Sequence, residues 1–129
     1  MIAAARSVSL DIEARGRRIL VVSDALPERN GVGTYYRDLV DQLRGHVSRA
    51  ELICPDADRG WRGRVTFSMP GDRTQAICLP PVRRLVRFVR ELRPDVVISA
   101  TPGPFGLSGL WIAHRCRIPL ICGFHTHLE

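Results

Sequence analysis

The sequence contains no lysine: all 19 basic groups among its 129 residues are arginine. A Walker A loop, which needs a lysine on the nucleotide phosphates, is thereby excluded. So are Schiff-base chemistry and a lysine general base. Aromatic residues are scarce at 6%. No apolar run approaches the ~20 residues of a membrane span, and charged residues interrupt positions 1–18 too often for a signal peptide. The four cysteines, Cys54, Cys78, Cys116 and Cys122, show no C-x-x-C spacing. They read as buried free thiols of a reducing cytoplasm. No G-x-S-x-G elbow is present, and no cysteine has an evident histidine and acid partner, so nucleophilic catalysis is not expected.

What is there describes an ordinary globular chain. Hydrophobic residues make up 45% and charged residues 25%, and the length suits one domain with a real core. The net charge is +6 and the isoelectric point is near 10.1. The arginines are spread along the chain, so the excess reads as genome bias and no nucleic-acid partner is expected. One stretch, 83–93, does cluster them.

Residues 1–16 read as a polar leader and 17–129 as the domain. Arg17–Asp24 carries Ile19-Leu20-Val21-Val22, four consecutive aliphatics, as in a strand buried on both faces of a parallel sheet. After a Pro- and Gly-bearing loop, Val32, Tyr36, Leu39, Val40 and Leu43 recur at helical spacing, with Gly45 as the stop. Arg49–Cys54 is a second strand, and Arg64–Ser68 and Gln75–Leu79 are short β runs. Pro80-Pro81 opens a helix whose apolar stripe is Val82, Leu85, Val86, Val89 and Leu92. Asp95–Ala100 is a buried strand, Thr101–Gly106 a loop, Leu107–Arg117 a helix, and Ile118–Phe124 the last strand. This alternation predicts an α/β fold, a Rossmann-like open parallel sheet with helices on both faces.

Ligands of open parallel sheets bind beyond the carboxyl ends of the strands. Three such ends carry unusual residues: Asp24 with Asn30-Gly31-Val32-Gly33-Thr34, then Thr101-Pro102-Gly103, then His125-Thr126-His127. The predicted winding brings all three to one rim. A helix starting near Gly33 aims free N–H groups at an anion, most naturally a phosphate; a plain helix-entry turn is the alternative. A dinucleotide fingerprint is incomplete, because Tyr36 stands where the third glycine belongs. His125, His127 and Glu129 alternate along the chain. No further ligand completes a metal site, so none is expected, and His125 reads as a polar substrate contact. Arg83, Arg84, Arg87, Arg90 and Arg93 accompany the stripe of the Pro81 helix. They form either a solvated face on a core-packed helix or a docking surface for anionic lipid. Phe88 lies off the stripe, in the place of an interfacial side chain.

Three segments resemble glycosyltransferase family 4: Arg18–Asp24 with Asn30-Gly31-Val32-Gly33-Thr34-Tyr35, Arg93–Pro104, and Ile118–Thr126. They stand in the family's order and span 17–129. The resemblance implies one half of a GT-B architecture, the N-terminal, acceptor-side domain, with the donor-binding C-terminal domain outside these residues. It implies a retaining enzyme that moves a hexose from a nucleotide-diphosphate sugar to a hydroxyl acceptor such as a lipid, without a further cofactor. On that reading Asn30, Gly31, Gly33, Thr101, His125, Thr126 and His127 face substrate, with Gly31 and Gly33 near the donor diphosphate. Where the basic helix docks on lipid, Arg83, Arg84, Arg87 and Arg90 are the residues expected to face the membrane. The chain alone is then an inactive part of a cytoplasmic protein, peripheral on the inner membrane face. The alternatives are a stand-alone, flavodoxin-like phosphate- or nucleotide-binding module and a peripheral membrane-docking protein.

Overall fold

A computed structural model describes residues 16–25, 31–55, 61, 66–69 and 72–123. Its main sheet holds β1 (Arg18–Val22), β2 (Arg49–Ile53), β5 (Val96–Ser99) and β6 (Leu120–Cys122), all parallel, in the order β2-β1-β5-β6. A separate antiparallel hairpin pairs β3 (Thr66–Met69) with β4 (Asp72–Cys78), with a register shift between Ser68 and Met69. The two short β runs of the sequence are thus partners, and the second starts three residues earlier than its apolar residues suggest. The helices are α1 (Gly31–Leu43), α2 (Val82–Leu92) and α3 (Pro104–Arg115).

Alternation along the strands splits the core into two layers. Ile19 and Val21 of β1 join Ala50, Leu52, Ile98 and Ala100 on one face. There they meet α1 through Val32, Tyr36, Leu39, Val40 and Leu43, the stripe that the sequence shows. Leu20, Val22, Ile53, Val97 and Leu120 point to the other face. They pack on Leu85, Val89 and Leu92 of α2 and on Phe105, Ile112 and Ala113 of α3. Each fully buried aliphatic side chain contributes about 1.5–3 kcal/mol, and both layers depend on β1 at the centre of the sheet.

The helix ends differ from the sequence expectation at α3. It begins at Pro104 rather than Leu107, with proline in the first turn, where its missing N–H costs nothing. The residue pair Pro104-Phe105 reads as loop in sequence because the group that caps it lies elsewhere in the chain. Arg93 after α2 and Arg117 after α3 both take left-handed backbone, at φ 50 and 56. Each turns its helix back toward the next strand.

Cys54 is buried as expected, but Cys116 and Cys122 are exposed free thiols. Cys116 caps α3 on its solvent side, and Cys122 lies at the rim end of a strand whose outward face is open. The burial expected from their apolar neighbours fails at those two positions.

Candidate functional site

The connection β1–α1–β2 uses one face of the sheet, and β5–α3–β6 uses the other. The order therefore reverses between β1 and β5, and in open parallel sheets such a reversal marks a ligand crevice at the carboxyl ends of the strands. Asp24 after β1 and the β5–α3 loop meet at this position. Asp24, two residues beyond β1, binds the β5–α3 loop through its backbone N–H and both carboxylate oxygens. Its backbone N–H donates to Thr101 Oγ1 at 2.8 Å, and the Thr101 hydroxyl donates to Asp24 Oδ2. The amides of Phe105 and Gly106 donate to Oδ1 and Oδ2 at 2.7 and 3.1 Å.

The carboxylate thus sits on the amino end of α3, where free amides and the helix dipole favour a negative charge. Two glycines make this fit possible. A Cβ on Gly103 would lie 2.4 Å from the Asp24 carboxyl carbon, and one on Gly106 would lie 1.6 Å from the Thr101 carbonyl oxygen. Ser99, buried beneath the same turn, donates its hydroxyl to the Gly106 carbonyl at 2.9 Å. Among the described residues, no buried side-chain nitrogen or oxygen lacks a partner.

The amino end of α1, which follows β1 in the chain, belongs to the same carboxyl edge of the sheet. Gly31 is exposed, with open space where a Cβ would project, and Gly33 is buried. Tyr35 and Tyr36 follow, edge to face with ring centroids 5.1 Å apart. Burial, and to a lesser extent the neighbouring Tyr35, pushes the Tyr36 hydroxyl above the usual tyrosine range. The third strand end reaches the same rim, where Gly123 N–H donates to the Ser99 carbonyl at 2.9 Å. Of the residues expected at the site, Gly31, Gly33 and Thr101 are at this rim. Asn30, His125, Thr126 and His127 lie outside the described residues. Sequence reasoning marks Asp24 as the end of a strand and misses its role as a cap. The available signals are a strand-ending aspartate and a later Gly-Pro pair that opens a helix with no capping side chain of its own.

The α/β architecture is in keeping with comparison to known proteins. The family described as Glycosyltransferase Family 4 matches residues 29–129. The chain belongs to glycosyltransferase family 4. It is 30% identical over 124 residues to a GDP-mannose-dependent alpha-mannosyltransferase of Mycobacterium tuberculosis (strain CDC 1551 / Oshkosh), an alignment covering 86% of this chain and 32% of that protein. It is 28% identical over 121 residues to a GDP-mannose-dependent alpha-mannosyltransferase of Mycolicibacterium smegmatis (strain ATCC 700084 / mc(2)155), covering 84% and 32%. The chain spans about a third of the length of these curated relatives. No solved structure matches it.

Away from the crevice, this family 4 chain carries its basic helix as the sequence predicts. Arg83, Arg84, Arg87 and Arg90 of α2 are exposed, while Leu85, Val89 and Leu92 enter the core. The Arg84 guanidinium lies 4.5 Å over the Trp61 ring. Phe88 does not serve as an interfacial side chain. It is half-buried against the core and meets the Trp61 ring edge to face at 5.4 Å. A cavity of about 250 Å³ lined by Arg17, Ile19, Val47, Asp95 and Val96 lies at the amino ends of the strands, opposite the crevice. Among the described residues, no group of three metal-ligating side chains comes together, and no helix is long and apolar enough to cross a membrane.

Proposed function

We propose that this chain is the acceptor-side half of a retaining glycosyltransferase that takes mannose from GDP-mannose to a hydroxyl acceptor, a lipid headgroup being the class that fits a basic surface. The observation that carries the reading is the β1/β5 crevice, with the glycine-rich start of α1 on one side. The donor comes from the names of the two relatives. In such a transfer, the bond from the sugar carbon to the diphosphate breaks and one to the acceptor oxygen forms. The N–H groups at the start of α1 stabilise the charge that grows on the diphosphate, and the crevice holds the reactants in line. Gly31 and Gly33 let the diphosphate approach the backbone closely. Asn30 and Thr101 border that approach, and His125, Thr126 and His127 contact the sugar or the acceptor.

The chain spans about a third of its relatives' length, and on this reading a donor-binding half completes the nucleotide site. The test is sugar transfer from labelled GDP-mannose, by the chain alone and joined to the remaining two-thirds of the enzyme. Transfer by the longer protein and none by residues 1–129 is the expected result. Transfer by the chain alone, or none by either, overturns the proposal.

The exposed arginines of α2 favour a second element of the reading: a cytoplasmic protein whose α2 rests on the anionic inner face of a membrane. Each such side chain near the surface contributes about 1 kcal/mol, and only Val82 adds an exposed apolar contact on that helix. Docking is therefore electrostatic. Co-sedimentation with anionic but not neutral vesicles, lost at high salt, is the expected behaviour.

A further inference from the structure

The outer faces of α1, α2 and α3 differ. Among the described residues, α1 exposes Tyr35 and α2 exposes Val82 as single large apolar side chains. By contrast, α3 exposes Leu107, Leu110 and Trp111, at 57%, 39% and 47%. Their spacing, i, i+3 and i+4, sets them on one face of the helix. The opposite face, with Phe105, Gly109, Ile112 and Ala113, is buried, so α3 is apolar on both sides. Scattered exposed apolar residues are ordinary, but a gathered set marks a surface that something covers.

The charges around this face indicate what covers it. No aspartate or glutamate occurs between Asp95 and Glu129, so α3 carries no acidic group. Arg115, exposed in its last turn, holds the guanidinium 5.8 Å over the Trp111 ring. α2 lies on the same face of the sheet, in the same core layer as α3. It turns Arg83, Arg84, Arg87 and Arg90 outward. Leucine and tryptophan bordered by arginine is a composition that settles at a bilayer interface. The aliphatic side chains enter the acyl boundary, while indole and guanidinium stay among the headgroups.

We infer that the outer face of α3 is the inserting element of a docking surface for an anionic bilayer, with Leu107, Leu110 and Trp111 entering the boundary between headgroups and acyl chains beside the arginines of α2. The inference rests on α2 being the docking helix of the proposed function: α2 supplies the attraction and α3 the depth. Three side chains do not hold the chain on lipid by themselves, so docking still needs anionic headgroups and still fails at high salt. Leu107 directly follows Gly106, whose amide binds Asp24. The inserted face therefore begins at the carboxyl edge of the sheet and brings that edge to the plane of the lipid headgroups.

The test is tryptophan fluorescence of the whole chain, whose two tryptophans are the buried Trp61 and the exposed Trp111. The difference from Trp111→Phe isolates the Trp111 signal. Acrylamide serves as the quencher in water, and phosphatidylserine-containing vesicles with brominated acyl chains as the quencher in lipid. Acrylamide is expected to reach Trp111 in the free chain. Brominated vesicles are expected to quench it and to shield it from acrylamide. Leu107→Gln together with Leu110→Gln should weaken vesicle binding about tenfold, at unchanged melting temperature because both side chains are exposed. Trp111 untouched by brominated chains, or a double variant that binds as tightly as the parent, overturns the inference while docking through α2 stands. No binding to anionic vesicles, or binding indifferent to Arg83→Gln, Arg87→Gln and Arg90→Gln together, overturns the docking reading and the inference with it. Shielding of Trp111 from acrylamide before vesicles are added, in the chain or in the longer enzyme, assigns the face to a second copy or to the rest of the enzyme. That result also overturns the inference.

Discussion

Trp61 stands between Arg84 and Phe88: the guanidinium lies 4.5 Å over its ring, and the Phe88 ring meets it edge to face at 5.4 Å. The two partners are one helical turn apart on α2, so a single indole covers the flank of the basic helix. Trp61→Ala removes a buried aromatic and both ring contacts. A loss of about 3 kcal/mol in unfolding free energy is expected from urea denaturation. Arg84→Ala is expected to cost less than about 1 kcal/mol in the same measurement, the scale of an exposed cation–π contact.

The other three α2 arginines test the membrane reading. Replacing Arg83, Arg87 and Arg90 together by glutamine removes about 3 kcal/mol of attraction to an anionic surface. Binding to phosphatidylserine-containing vesicles should fall on the order of 100-fold, with no change in melting temperature. Equal binding of parent and variant would exclude α2 as the docking surface.

Gly106 admits no side chain. The Cβ of Gly106→Ala would overlap the Thr101 carbonyl oxygen, which is backbone and cannot swing away. The expected loss is about 3–4 kcal/mol, at the severe end for a point substitution. Gly103→Ala meets the Asp24 carboxylate instead. It is expected to lower unfolding free energy too, by forcing the carboxylate off the Phe105 and Gly106 amides, which urea denaturation of both variants will show.

The Tyr36 hydroxyl gives the alkaline limb of stability. Its folded-state pKa lies above the ordinary value of 10.0, chiefly through burial. Its contribution is therefore complete below about pH 10 and is lost as pH rises through the raised folded value. Tyr36→Phe should flatten unfolding free energy against pH above 10, measured by denaturant titration at several pH values.

Thiol labelling separates the described cysteines. Cys116 and Cys122 should react with a thiol reagent in the folded chain, and Cys54 only after denaturation. Peptide mapping by mass spectrometry reads this directly.

Much of the fold is legible in sequence because its driving patterns are local. Four aliphatics in a row specify a central strand, and the Tyr36–Val40 and Leu85–Val89 spacings specify helices with one buried side. What is not legible depends on partners distant in the chain. The start of α3 is hidden because its cap is Asp24. The exposure of Cys116 and Cys122 is hidden because apolar neighbours imply burial, while β6 is paired on the β5 side and presents Ile121, 54% exposed, on its open face. Phe88 looks interfacial until Trp61 is seen against it. At the candidate site, the glycines and Thr101 are visible as residues of the rim, but the hydrogen bonds of Asp24 that join two of its loops are visible only in three dimensions.

Arg93 and Arg117 hold left-handed backbone that a glycine would adopt without strain, and the conformation costs a side-chain-bearing residue roughly 1–2 kcal/mol. Both lie at helix carboxyl ends, where a cation recovers part of that cost. The fold therefore retains an unused margin at two solvent-facing hinges far from the crevice. Arg93→Gly and Arg117→Gly offer a route to a sturdier scaffold for variants that weaken the rim.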